Sequence, residues 1–238
     1  WELQITTPAA SFEEYTLTLT DGEQSVTLQH LLIGEVWLCA GQSNMVMPLN
    51  GFDYCPISDS NNVIADAPNH PGIRMVTIKP TVKLSPQEYA EGSWQQPTTE
   101  NAPKFSAAAY HYALTLQRTL QIPIGVITCA WGGSRVEGWL PKEILQTYKD
   151  EDLTLIGSDK TPVYLQSMLM YNGILYPCHK YTIKGFIWYQ GESNVRSSRT
   201  YAERLATMVK HWRSIWKQGD LPFYYVETVP FACEYKED

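Results

Sequence analysis

The chain has 238 residues, 44% of them hydrophobic and 18% charged, so it can bury the core of one large α/β domain and is not expected to be disordered. Its net charge of −7, with no run of Lys or Arg, argues against nucleic acid or an anionic membrane as a partner. No apolar stretch reaches the ~20 residues of a membrane helix. The five cysteines and five histidines show no zinc-ligand spacing, so no metal site is expected.

The first 33 residues predict β structure. Residues 15–20 alternate apolar and hydroxyl side chains, Asp21-Gly22 is a turn signal, and residues 25–28 resume the alternation. We interpret residues 1–33 as a hairpin from the end of an all-β accessory domain, and residues 34–238 as a separate domain. The chain begins without Met and ends just after a strand-like run, so we expect it to be a piece of a longer protein whose second domain is incomplete at its carboxyl end.

From residue 34 onward, short apolar runs alternate with helical patterns. The runs that predict buried strands are 35–40, 73–78, 124–130, 186–189 and 221–226. Helices are predicted after the candidate N-cap Ser106, after Pro141, over 164–171 and over 199–217, the last with a clear apolar stripe. This alternation predicts a mostly parallel sheet with helices on both faces.

Three of the predicted strands run directly into polar loops that contain glycine. The loops are Gly41-Gln42-Ser43-Asn44, Trp131-Gly132-Gly133-Ser134 and Gln190-Gly191-Glu192-Ser193-Asn194. Ligands bind at the carboxyl ends of the strands in such sheets, so we expect the three loops to meet at one edge.

Ser43 follows a strand and a glycine, a position that suits an exposed nucleophile activated by a base. A serine here can also simply cap the next helix. Gly133 can offer a backbone N–H to an oxyanion, and Gln190 or Asn194 a side-chain amide, although turns and helix caps use the same residue types. Ser193 is a rival nucleophile, less favoured because the adjacent Glu192 would oppose the developing negative charge.

These segments resemble the sialate O-acetylesterase family. Residues 34–45 resemble its nucleophile block, 131–139 its glycine block, and 171–173 with 185–194 its third region, within a resemblance that covers about residues 15–230. The resemblance implies an SGNH-hydrolase fold, which is a flavodoxin-like three-layer α/β/α sandwich, over residues 34–238. It also implies a carboxylic ester hydrolase that removes acetyl groups from sugars such as sialic acid or those of plant polysaccharides, and a β-domain beside the hydrolase domain.

The same resemblance assigns roles to single residues. Ser43 is the nucleophile, and its own N–H and that of Gly133 line the oxyanion hole. Gln190, at the strand end, is favoured over Asn194 as the third donor. The residues assigned to substrate binding are Gln42, Glu192 (alternatively a loop-shaping group) and Trp139. The reaction is acyl transfer through an acyl-enzyme, which requires no metal or organic cofactor.

The sequence departs from the family in one respect, because the Asp-x-x-His pattern that supplies the base and its orienting acid is absent. His111 and His211 fall in predicted helices and His30 in the hairpin, which leaves the loop residues His70 and His179 as candidates. We expect instead that the base lies beyond residue 238 or on a second chain. A non-catalytic glycan-binding protein on a degenerate hydrolase scaffold is the alternative function. A lipase-like esterase is disfavoured, because the Gly-x-Ser-x-Gly elbow has Met at position 45.

The cysteines are scattered along the chain. Cys39 and Cys129 fall in strand-like runs and are expected in the core, whereas Cys55 and Cys178 lie near loop signals and could form a disulfide. The substrate class of the resembling family suggests a secreted or periplasmic protein.

Overall fold

The computed structural model describes residues 5–229 and contains two separate sheets. The strands are β1 (Ser11–Thr20), β2 (Ser25–Ile33), β3 (Glu35–Gly41), β4 (Ile73–Thr77), β5 (Ile124–Ala130), β6 (Gly185–Tyr189) and β7 (Phe223–Tyr225). The α-helices are α1 (Ser43–Val46), α2 (Ser60–Asp66), α3 (Ala107–Leu120), α4 (Lys142–Leu145) and α5 (Ser198–Trp216). Each of the five strands predicted after residue 34 is present.

The larger sheet has five parallel strands in the order β4-β5-β3-β6-β7. If the five strands are numbered along the chain from β3, their order is 2-3-1-4-5. In the flavodoxin order 2-1-3-4-5, the strands that correspond to β3 and β5 have exchanged places. The first strand, β3, is therefore central, with β5 and β6 as its neighbours. Gly41 at the end of β3 pairs with Ala130 and Tyr189, so the three central strands end at the same level.

Side chains of β3 alternate between two hydrophobic cores, one on each face of the sheet. Trp37 and Cys39 pack in the core that contains the apolar side of α3. Leu38 and Ala40 pack in the core that contains the apolar stripe of α5. The strand is buried on both faces, which explains why its sequence is continuously apolar. The predicted three-layer α/β/α fold is confirmed.

The two long helices match their predictions, but a third helix does not. Ser106 caps α3 by accepting the Ala109 N–H at 3.3 Å. The helix predicted over 164–171 is wrong: a single 3-10 turn covers Val163–Leu165, and a π-helix covers Tyr171–Leu175. Met168 has a φ of +59°, a left-handed conformation that a continuous right-handed helix cannot contain.

The β1–β2 hairpin forms a two-stranded antiparallel sheet of its own. Its turn lies at the predicted Asp21-Gly22 pair, where Gly22 has a φ of +98° and the Asp21 carboxylate accepts the N–H groups of Glu23 and Gln24. The hairpin itself is confirmed, while its membership in an accessory domain stays a prediction. In the described part of the chain, no helix has the length and apolar character needed to cross a membrane.

The thiols in the described residues are all free. Cys39 and Cys129 lie in the core, as predicted, and burial raises the pKa of both. The sulfur of Cys178 lies 3.9 Å from that of Cys129, whereas Cys55 is exposed. The suggested Cys55–Cys178 disulfide is therefore not formed, because Cys178 points into the core. Cys233 lies outside the described residues.

Candidate active site

The three glycine-containing loops meet at the carboxyl edge of the sheet, as the sequence predicts. The Gln42 N–H donates to the Tyr189 carbonyl at 3.0 Å, and the Trp131 N–H donates to the Gly41 carbonyl at 3.0 Å. These bonds continue the pairing of the three central strands by one residue into the loops. The strand order thus brings the three loops together.

Gly41 makes the sharp turn that presents Ser43. Its φ is +147°, and a methyl group on its Cα would lie 2.0 Å from the Tyr189 carbonyl oxygen. Only glycine fits this close approach between β3 and β6. Ser43 then follows as the first residue of the short helix α1.

The Ser43 hydroxyl is not used to cap α1. The N-cap residue is Gln42, without a side-chain capping bond, and the half-buried Ser43 makes no side-chain hydrogen bond within residues 5–229. The second loop faces this serine, because a methyl group on Gly132 would lie 3.9 Å from the Ser43 Cβ. The hydroxyl is therefore free to react with a ligand between the two loops, which favours the nucleophile over the cap.

Gly133 adopts a conformation that leaves its N–H without a partner. Its φ is +74°, and a methyl group on it would lie 2.8 Å from the ring of Tyr164. Among the residues that the structure describes, none accepts a hydrogen bond from the Gly133 N–H. An unpaired backbone donor beside a serine is the arrangement that oxyanion stabilisation requires. The contact with Tyr164 was not predicted, because it spans two loops with no common pattern.

The side-chain amides predicted as third donors are both fully used. Gln190 donates to the Ser134 carbonyl at 3.0 Å and to the Asn194 side-chain oxygen at 2.8 Å. Asn194 donates to Glu137 at 2.9 Å and to the Ser197 hydroxyl at 3.3 Å. A primary amide has two N–H groups, so neither residue has one left for an oxyanion. In this structure they instead join the second loop to the third.

Gln42 joins the first loop to the third. It is buried, and its side-chain oxygen accepts the N–H groups of Gly191 at 3.2 Å and Ser193 at 3.4 Å. Gln42 is predicted to bind substrate, but its side-chain oxygen is occupied by the protein. Together with Gln190 and Asn194, Gln42 makes the three loops one hydrogen-bonded unit.

Glu192 lies beside the nucleophile loop and has an unused oxygen. One carboxylate oxygen accepts the side-chain N–H of Asn44 at 2.7 Å, which fits the loop-shaping role considered for Glu192. The other oxygen is buried and has no hydrogen-bond partner in the described part of the chain. A buried carboxylate oxygen without a donor is costly, so the site favours a ligand or a further protein group that donates to it.

Trp139 is not placed to contact substrate, and that prediction is corrected. Its side chain is fully buried, its indole N–H donates to the Ser134 hydroxyl at 3.0 Å, and its ring meets Trp188 edge-on. Trp139 does belong with the second loop, because it bonds to Ser134, but it supports that loop from the core side.

A buried charged cluster lies behind the second and third loops. Glu137 is fully buried and forms a short ion pair with Arg204, which is itself 3% exposed. Arg135 lies 3.8 Å from the other oxygen of Glu137, and Asp150 accepts two bonds from Arg204 at 2.7 and 2.6 Å. Burial lowers the pKa of Arg204, but Glu137 and Asp150 outweigh it and hold the pKa above its usual value. Since Glu137 also accepts from Asn194, the cluster anchors both loops.

The two candidate histidines, His70 and His179, lie at the opposite edge of the sheet from Ser43. His70 pairs with Asp66 at 2.9 Å and precedes β4, while His179 bonds to the Tyr176 carbonyl at 2.6 Å and precedes β6. Residues that precede parallel strands lie at the amino edge of the sheet, opposite the three loops. The two in-chain candidates for the base are therefore not brought to the nucleophile. His211 bonds to the Tyr171 hydroxyl at 2.8 Å, a structural role.

The described residues include no cluster of three or more His, Cys, Asp or Glu side chains that could hold a metal ion.

Comparisons with known proteins show which family the chain is similar to. Residues 33–237 match the family described as carbohydrate esterase, sialic acid-specific acetylesterase. The sialate O-acetylesterases of Pongo abelii and Homo sapiens are each 27% identical to this chain over 204 residues, covering 82% of it and 38% of their own length. The crystal structure of a carbohydrate acetylesterase from Xanthomonas citri gives a TM-score of 0.80 at 30% identity, covering 94% of this chain and 48% of that one. The chain spans less than half the length of each of these relatives.

Proposed function

Because the chain belongs to the sialic acid-specific acetylesterase family of carbohydrate esterases, we propose that it is a serine esterase that removes O-acetyl groups from acetylated carbohydrates. The observation that carries the proposal is the free hydroxyl of Ser43, which a glycine turn presents to the Gly132-Gly133 loop. We would test this chain first on the substrates that the names of the relatives give, which include O-acetyl esters of sialate.

The proposed reaction is acyl transfer in two steps. The Ser43 oxygen attacks the acetyl carbonyl carbon while its proton passes to a base, and the backbone N–H groups of Ser43 and Gly133 stabilise the resulting oxyanion. The sugar oxygen then leaves with the proton from the base. Water, activated by the same base, attacks the acetyl-serine and releases acetate, which restores the hydroxyl. These steps use no metal or organic cofactor.

We propose that the base is a histidine, oriented by an acidic group, from outside residues 5–229, either on a further segment of the protein or on a second chain. The support is positional, because His70 and His179 lie at the opposite edge of the sheet. Glu192 supports the same site, since its unpartnered oxygen can accept a hydrogen bond from a sugar hydroxyl. For such substrates we propose a secreted or periplasmic location.

The proposal is tested by acetate release from O-acetylated sugars by the complete protein. Ser43→Ala is expected to abolish turnover, while Ser193→Ala, in the third loop, keeps it. A fluorophosphonate probe followed by peptide mapping should place the label on Ser43. Turnover that survives Ser43→Ala, or a label on Ser193, contradicts the assignment. Sugar binding without acetate release or labelling, in folded protein, would instead establish the glycan-binding alternative that the distant histidines favour.

A further inference from the structure

We propose that a cavity beside α1 binds a pyranose ring of the acetylated substrate, an inference that rests on the proposed esterase function. The cavity has a volume of about 570 Å³, and the residues that matter in it are Val46, Asn50, Phe52, Asp53, Tyr54 and Lys104. We call it the α1 cavity. Its size lies within the range of roughly 300–1,000 Å³ that is common for small-molecule sites.

The α1 cavity adjoins the nucleophile through α1 itself. Val46 lines the cavity and lies three residues after Ser43, so the two side chains share one side of the helix. Thr77, the last residue of β4, lines the cavity as well, which places it at the same carboxyl edge as the three loops. A second cavity of about 610 Å³ is lined by β2 and by the amino ends of β3 and β5, and none of the three loops reaches it. Of these two cavities, only the α1 cavity lies at the edge of the sheet that carries Ser43, so we assign the sugar to it.

An aromatic pair on a tight turn, half-buried Phe52 and exposed Tyr54, lines the α1 cavity. The backbone bonds between Phe52 and Cys55, at 3.1 and 2.9 Å, close this turn, and Gly51 enters it with a φ of +77°. The rings of Phe52 and Tyr54 stack with centroids 5.6 Å apart and planes at 17°. The Tyr54 residue is nevertheless 85% exposed. The C–H face of a pyranose is apolar and flat, so it can cover such a ring while the sugar hydroxyls stay at the edge.

The polar side chains around the aromatic pair are unused. Asn50, Asp53 and Lys104 make no side-chain hydrogen bond or ion pair with any residue in the range 5–229. They contrast with Gln42 and Gln190, whose polar groups are bound within the protein. An amide, a carboxylate and an ammonium group together offer donors and acceptors that match sugar hydroxyls, around an apolar platform. Lys104 can in addition pair with a carboxylate, when the sugar carries one.

The test measures binding of an O-acetylated methyl glycoside by calorimetry, on the complete protein with Ser43→Ala so that the ester survives. Adding Tyr54→Ala is expected to weaken the Kd by roughly three- to tenfold, from the loss of one stacking contact. Tyr54→Phe keeps the ring and should keep the Kd within about twofold. The control is Tyr89→Ala, since Tyr89 is 90% exposed but does not line the cavity.

An unchanged Kd in Tyr54→Ala, at an unchanged melting temperature, overturns the proposal, as does the absence of any binding to the Ser43→Ala parent. Acetate release by the protein with Ser43 intact is measured separately. If acetate is released while Tyr54→Ala binds normally, the esterase function stands and the sugar site is wrong. If Tyr54→Ala weakens binding but no acetate is released by any preparation, the sugar site stands and the esterase function is wrong.

Discussion

Replacing Glu137 by Gln tests how the loops are held from behind. The substitution keeps the shape of the side chain but removes the charge that pairs with Arg204. Glu137 is fully buried and Arg204 is 3% exposed, so solvent cannot replace the lost partner. Removing one member of a buried pair costs about 3–5 kcal/mol of unfolding free energy. Because Asp150 still accepts two bonds from Arg204, we expect the lower end, about 3 kcal/mol.

The assay is urea unfolding followed by tryptophan fluorescence, with the free energy obtained by linear extrapolation. The matched control is Glu203→Gln, next to Arg204 in sequence but exposed, which should change the unfolding free energy by less than about 0.5 kcal/mol. Combining Glu137→Gln with Arg204→Met should recover part of the loss, because no unpaired buried charge remains. A Glu137→Gln protein as stable as the control would refute the idea that this ion pair anchors the loops.

Three further outcomes follow from the site and the core. Gly133→Ala should lose about 1–3 kcal/mol of unfolding free energy, because its φ is +74°. Gly132→Ala should keep its unfolding free energy but lower esterase activity, since its methyl group would lie 3.9 Å from the Cβ of Ser43. Equal unfolding free energies of the two variants in urea would contradict this expectation. Burial depresses the pKa of His211 below its ordinary value of 6.5, so the unfolded state binds the proton more readily than the folded state. The free energy of unfolding should therefore fall as the pH drops below about 6.5. Urea unfolding of His211→Gln at several pH values should show a smaller dependence of this free energy on pH. Iodoacetamide with peptide mapping should modify Cys55 well before Cys129 in native protein, and equal rates would contradict the burial of the second thiol.

The parts of the fold that sequence could predict are those that local patterns encode. Runs of apolar residues identified each parallel strand, because a strand buried on both faces needs no alternation. The N-cap residue Ser106 predicted α3, and the apolar stripe predicted α5, because both signals come from residues close together in sequence. The helix over 164–171 failed at Met168, whose positive φ is imposed by its surroundings and leaves no signature in the residue type.

The parts of the site that escaped prediction depend on partners distant in sequence. Gln190 and Asn194 were correctly placed at the loop edge, but their amides bind groups 56 and 57 residues away. The ion pair of Glu137 with Arg204 spans 67 residues, and no spacing rule connects them. Trp139 was assigned to substrate by its motif, yet only the packing of the sheet decides which way a tryptophan faces. Sequence thus located the loops but could not tell which of their polar groups are already bound.

The central position of β3 has a consequence for how the protein is made. β3 leaves the ribosome before both of its partners, because β5 comes some ninety residues later and β6 later still, so both of its edges remain unpaired while the residues between are synthesised. Pairings so distant in sequence form slowly. The nascent chain therefore exposes an apolar strand, with the reactive serine at its end, until Tyr189 has emerged beside Gly41. The strand order that assembles the site also makes early chaperone binding to this strand useful during synthesis.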